Sequence, residues 1–209
     1  GMDESYFRPF LEPLGNQYEI IFYRQLRVPF KTDDGLNELL RQLDDIVNSL
    51  NNSSIFLFGH SWGTVLATEY LDSDFHGAKK IRALTLMSPV LHHRFDQIFA
   101  NNRHLVEKWT NPENHWQEET IESVPFFFTK PYWNLGAKVF EAIDKDLRTL
   151  DYFFKSYMKT LDLESVVKRL ELPIMVLFGD KDARVPLEYL STIKNLNPRI
   201  YERVIQGTG

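Results

Sequence analysis

Ile55-Phe56-Leu57-Phe58-Gly59-His60-Ser61-Trp62-Gly63-Thr64-Val65-Leu66-Ala67-Thr68-Glu69-Tyr70 is the stretch on which the fold turns. Four consecutive apolar residues read as a fully buried strand, and the run from Thr64 onward reads as a helix. The pentapeptide Gly59-His60-Ser61-Trp62-Gly63 must therefore turn the chain sharply between them, in the pattern G-x-S-x-G. Such a turn strains the backbone of Ser61 and projects its hydroxyl from the sheet, which makes it a candidate nucleophile. Gly59 and Gly63 are expected because a side chain at either place would clash. The first N–H groups of the following helix lie beside Ser61 and favour negative charge developing there.

Outward from this turn, strands and helices alternate. Residues 3–15 carry Tyr6, Phe7, Phe10, Leu11 and Leu14 at helical spacing up to Gly15, with Pro9 and Pro13 predicting a short or kinked helix. Residues 18–23 read as a strand. Leu36, Leu39, Leu40, Leu43, Ile46, Val47 and Leu50 share one face of an amphipathic helix, with Asp33 and Asp34 as cap candidates. Residues 81–87 read as a strand closed by Ser88-Pro89. A continuous apolar strand follows at 174–178, then Gly179-Asp180-Lys181-Asp182, a helix over 187–196 and a last strand over 200–205. Strands alternating with helices, several of them apolar on both faces, predict an α/β fold, a mostly parallel sheet with helices on both faces.

Residues 91–170 differ in character. Strand patterns vanish, and aromatics accumulate, among them Trp109, Trp116, Phe126, Phe127, Phe128, Trp133 and Tyr157. They read as a helical insertion whose aromatics build a small core of their own, some of them lining a substrate pocket. The core is then expected over 2–90 and 171–209.

At 209 residues and 43% hydrophobic, with a mean hydropathy of −0.33, the chain can bury one sizeable core. Its longest apolar runs reach about half a membrane span, and no signal-peptide pattern opens it, so no membrane association is expected. Gly1 reads as a tag remnant before a start methionine. The absence of cysteine rules out disulfides and thiolate metal sites and fits a cytoplasmic location. A net charge of −5 without a basic stripe argues against nucleic acid as a partner. There is no phosphate loop, paired-histidine spacing or G-x-G-x-x-G, so neither a metal nor another cofactor is expected.

The chain resembles the α/β-hydrolase superfamily along nearly all its length: GHSWG at the elbow, LTLMSP for the next strand, an insertion resembling that fold's cap, and PIMVLFGDKDARVP resembling the strand and turn that carry the acidic triad member. The elbow with its helix running into Glu69-Tyr70-Leu71 is most similar to the proline iminopeptidase group. The resemblance implies Ser61 as nucleophile and Asp182, rather than Asp180, as the acid that orients a histidine base. It also implies the backbone N–H of Trp62 as an oxyanion-hole donor.

Three features depart from that pattern. The family histidine follows the last strand, and this sequence closes on Gln206-Gly207-Thr208-Gly209. Its six histidines, His60, His76, His92, His93, His104 and His115, do not match that place. His60 is expected to be structural, and His92 and His93 to be solvated or packed under the cap. The family's His-Gly strand, source of the second oxyanion donor, has no counterpart before Tyr6. Its loss would leave a gap in the sheet, to be closed by residues 18–23 or by a partner chain, so a homo-oligomer through the incomplete sheet is an expectation. Tyr23-Arg24-Gln25-Leu26-Arg27-Val28-Pro29 stands where the family carries D-Q-x-G-x-G-x-S.

The resemblance therefore implies an internal piece of a serine hydrolase, truncated at both ends, acting by acyl-enzyme chemistry on an ester or amide in a small molecule or peptide. Without its base it should be nearly inactive. Aminopeptidase action ranks first only by overall resemblance, because Ala183 stands where that group carries an amine-binding carboxylate; Glu118, Glu119 and Glu122 are substitutes. The alternative is a non-catalytic ligand-binding or scaffold protein.

Overall fold

A four-stranded sheet is built from β1 (Ile55–His60), β2 (Ile81–Met87), β3 (Ile174–Gly179) and β4 (Ile200–Ile205) in the order β1-β2-β3-β4. Every neighbouring pair is parallel, with His60 opposite Met87, Met87 opposite Leu177 and Gly179 opposite Ile205. The computed structural model describes residues 6–27, 34–52, 54–94, 134, 138–139, 157–182 and 185–207. Because the strands are parallel and nearly in step, all four C-terminal ends fall on one edge, where α/β sheets place their sites.

Helices cover the sheet as its two-sided apolar pattern requires; no residue of β3 is exposed. Among the described residues the α-helical elements are α1 (Arg8–Leu11), α2 (Asp34–Ser49), α3 (Trp62–Asp72), α4 (Glu164–Arg169) and α5 (Glu188–Ile193). Leu39, Leu40, Leu43 and Val47 form the buried stripe of α2, and α3 is buried nearly all round, through Val65, Leu66, Ala67 and Tyr70. Asp44 joins the two helices: its Oδ1 accepts from Tyr70 Oη–H and from Gly77 N–H, both at 2.8 Å. Lys80 Nζ closes α2, donating to the carbonyls of Val47, Asn48 and Leu50 at 3.2, 3.3 and 3.2 Å. Asn197 does the same for α4, with Nδ2 donating to Val167 and Leu170 O at 2.8 Å each.

The N-terminal helix is short, as its prolines predict: α1 passes directly into a 3-10 turn over Glu12–Asn16. The strand expected over 18–23 is not formed. Residues 19–27 are irregular, with Tyr18, Ile21 and Leu26 exposed. The backbone there is partly satisfied by a side chain instead of a ladder: Leu26 N–H donates to Gln42 Oε1 at 3.0 Å, and Gln42 Nε2 donates to Arg24 O at 2.9 Å. Contact with β1 runs through side chains, with the Tyr18 ring edge-on to Phe56. Residues 18–23 therefore do not move across to pair with β1, which among the described residues has a strand partner on one side only.

Of the expected insertion 91–170, the central part and all the aromatics singled out there except Tyr157 lie outside the described residues. Its two flanks meet. Leu163 N–H donates to Leu91 O at 2.7 Å and His93 N–H to Leu161 O at 2.8 Å, and Leu91, Met158, Leu161, Leu163, Val166 and Val167 join the same core as the sheet. Among the described residues no helix is long and apolar enough to cross a membrane.

Candidate active site

Ser61 leaves β1 and opens α3 with φ 49° and ψ −118°. A residue bearing Cβ is rarely held at positive φ, and doing so costs about 1–3 kcal/mol, so the neighbours must over-determine it. They do so by close approach of β1 and α3. A Cβ at Gly59 would lie 2.4 Å from Gly63 O and 2.9 Å from Thr64 N. Backbone bonds add to this: Ser61 N–H donates to Met87 O at 3.1 Å, and Ser61 O accepts from Thr64 N–H at 2.9 Å and from Thr64 Oγ1–H at 2.6 Å. Gly63 corrects the expectation that both glycines avoid clashes, since a Cβ there meets nothing within 4 Å among the described residues. The strand passes over the carbonyl of Gly63, so only the residue on the strand side is crowded.

Trp62, the first residue of α3, is buried, and its ring stands edge-on to Tyr157 at 6.3 Å. Tyr157 Oη–H donates in turn to Glu69 Oε1. Burial, with a smaller contribution from the Asp72 charge, raises the Glu69 carboxyl above its usual range, and the Tyr157 bond opposes this. His60 packs as a structural residue, stacked on Tyr6 and edge-on to Phe7.

At the end of β3 the two aspartates diverge. Asp180 Oδ1 accepts from Gly207 N–H at 2.7 Å, while Asp180 N–H donates to Ile205 O, fixing the turn that leaves β4. Asp182 faces the other way along the strand ends. Its Oδ2 accepts from Ser88 Oγ–H at 2.7 Å and its Oδ1 from Val185 N–H at 2.8 Å. Ser88, at the end of β2 between the other two, was not singled out by the sequence. Its signal was positional only, a polar residue closing a central parallel strand next to the elbow.

His92 and His93 are engaged with the flank at 161–164. His92 Nδ1 accepts from Arg94 N–H at 3.0 Å and Arg94 Nε–H at 3.3 Å, which puts the proton of the neutral ring on Nε2. Burial, then the Arg94 charge, lowers its proton affinity. His104 and His115, like Glu118, Glu119, Glu122 and Ala183, lie outside the described residues. Among those described, no group of three or more metal-binding side chains converges.

Residues 27–209 match the model of the alpha/beta hydrolase fold family. No curated protein matches the chain. Among solved structures, the bromoperoxidase from Bacillus anthracis is 17% identical with a TM-score of 0.71, over 100% of this chain and 81% of that one. The proline iminopeptidase-related protein from Thermus thermophilus is 15% identical with a TM-score of 0.72, over 99% and 78%. An esterase from Exiguobacterium antarcticum is 14% identical with a TM-score of 0.69, over 100% and 81%. At these identities the likeness shows the fold.

Proposed function

The chain belongs to the alpha/beta hydrolase fold family, and on that premise we propose that it is a serine hydrolase acting on an ester or amide through Ser61. The observation that carries this reading is the backbone of Ser61, held at φ 49° on a strand-to-helix turn at the C-terminal edge of the sheet. Ser61 Oγ adds to the acyl carbon, and the oxyanion that forms is met by the N–H of Trp62 at the positive end of α3. Collapse expels the alcohol or amine and leaves an acyl-enzyme, which water opens. Asp182 stabilises the protonated base that shuttles the proton. In the family's pattern that base follows the last strand, and the described part of the corresponding turn closes at Gly207.

The esterase and the proline iminopeptidase-related structure are consistent with acyl transfer, and a substrate with a free amino terminus ranks first by overall resemblance only, since Ala183 stands where an amine-binding carboxylate would. A fluorophosphonate probe tests the nucleophile: the parent chain should label faster than Ser61→Ala, and faster still with a histidine appended after Gly209. Equal background labelling of all three refutes the reading and leaves a ligand-binding protein. Release of p-nitrophenol from small esters, set against cleavage of aminoacyl amides, separates esterase from aminopeptidase action.

A further inference from the structure

Among the described residues two non-glycine residues have positive φ, Ser61 at 49° and Ser88 at 45°. They end adjacent parallel strands at matching positions, one after His60 and the other after Met87, which face each other in the ladder. The first is the proposed nucleophile; the second has no role in the mechanism above. Glycine would occupy the position at lower cost, and Pro89 further restricts the residue before it. A serine held there, 6% exposed, points to a use for its hydroxyl.

That hydroxyl donates to Asp182 Oδ2 at 2.7 Å, the length of a charge-assisted bond, while Val185 N–H holds Oδ1. With donors on both oxygens the plane of the carboxylate is set. The turn carrying Ser88 is in turn fixed to the elbow. Ser88 N–H donates to Leu177 O at 2.9 Å. Val90 N–H donates to Thr64 Oγ1 at 3.1 Å, and the same Thr64 hydroxyl donates to Ser61 O at 2.6 Å. Hydrogen bonds thus run from Ser61 through Thr64 to Val90, the backbone continues through Pro89 to Ser88, and the Ser88 hydroxyl reaches Asp182. Resting on the hydrolase reading, we infer that Ser88 is a positioning residue: its hydroxyl fixes where the Asp182 carboxylate points relative to Ser61 and acts on the reaction only through that carboxylate.

The test compares Ser88→Ala, Ser88→Gly, Asp182→Asn and Ser88→Ala/Asp182→Asn, each made in the chain with a histidine appended after Gly209, which serves as their parent, by pH-dependent fluorophosphonate labelling and by thermal unfolding. Ser88→Ala and Ser88→Gly should both label roughly tenfold more slowly than the parent, the value of one hydrogen bond to a charged group. The acid limb of the pH profile should move to lower pH, because a misdirected carboxylate holds the protonated base less well. Glycine relieves the positive φ, so Ser88→Gly should melt above Ser88→Ala despite equal loss of reactivity; a merely structural role predicts that stability and reactivity fall together. In the Asp182→Asn background Ser88→Ala should slow labelling no further. Parent-like labelling by Ser88→Gly, or full additivity with Asp182→Asn, overturns the inference. If the histidine-extended parent labels no faster than Ser61→Ala made in the same chain, the hydrolase reading fails, and unfolding midpoints then decide the coupling: non-additive losses keep the Ser88–Asp182 pair, additive ones remove it.

Discussion

The glycines of the elbow should respond to the same substitution with opposite signs. In Gly59→Ala the new methyl group would sit 2.4 Å from Gly63 O, 2.7 Å from Gly63 C and 2.9 Å from Thr64 N, all backbone atoms. Ordinary carbon contacts lie at about 3.5–4.0 Å, so strand and helix must separate by roughly 1 Å. Overpacking typically costs about 1–3 kcal/mol, and with no flexible side chain to yield, about 3 kcal/mol is the expectation. Gly63→Ala meets none of the described residues within 4 Å and lies in a helical turn, where alanine gains up to about 1 kcal/mol over glycine. The two variants should therefore differ by about 4 kcal/mol, or roughly 8–16 °C in thermal midpoint at about 2–4 °C per kcal/mol for a chain of this size. Thermal unfolding by circular dichroism measures this, and fluorophosphonate labelling of Ser61 should fail in Gly59→Ala alone. Equal midpoints, or a Gly63→Ala variant that melts below Gly59→Ala, would refute the claim that β1 and α3 touch at Gly59.

Ser61→Gly should melt above Ser61→Ala by about 1–2 kcal/mol, since only glycine relieves φ 49°; neither variant should label, and the reverse order of melting would mean that the turn is not strained. Lys80→Met removes the donor to three carbonyls at the end of α2 and should lower stability by about 1–3 kcal/mol in urea titrations; an unchanged midpoint would show the cap to be idle. Glu69, its carboxyl raised mainly by burial, binds its proton more tightly folded than unfolded. Stability should therefore fall as pH rises from the ordinary glutamate value through the raised one, and this slope should flatten in Glu69→Gln; an identical slope in both would assign it to other groups.

The sheet was legible because several of its strands are apolar on both faces. Residues 55–58 and 174–178 are short apolar runs, 81–87 and 200–205 are mainly apolar and aromatic runs interrupted by Arg82 and by Glu202-Arg203, and each of the four is a strand in the structure, two of them slightly longer than read. α2 was legible from seven apolar positions on one face, six of which, Leu36 to Val47, lie in the helix. Residues 18–23 read falsely as a strand because local preference measures fitness for a pleated surface, whereas a ladder also needs a neighbour, and none of the described strands takes that place. Gly63 misled for a related reason: the motif marks two glycines, but steric need depends on which of them lies under the crossing strand. Ser88 and Thr64 were illegible as a bridge. The bond from Ser88 to Asp182 spans 94 positions in sequence, and only the register β1-β2-β3 brings the two together.

The strained serines also bear on whether the fold is used for catalysis or only for binding. Each costs about 1–3 kcal/mol at positive φ, together a sizeable part of the roughly 5–15 kcal/mol that hold a domain folded. Both sit at strand ends on the edge where sites form, and glycine would satisfy either backbone at less cost. A scaffold that merely holds a ligand has no requirement for a hydroxyl on a strained turn at position 61, and still less for a second one that fixes a carboxylate at the end of the neighbouring strand. The hydrolase proposed above would use both, because its rate would depend on nucleophile and acid being held in one frame before substrate arrives. On the proposed reading, strain, the Gly59 contact and the Thr64 bridge serve one device, and loosening any one of them should cost reactivity as well as stability.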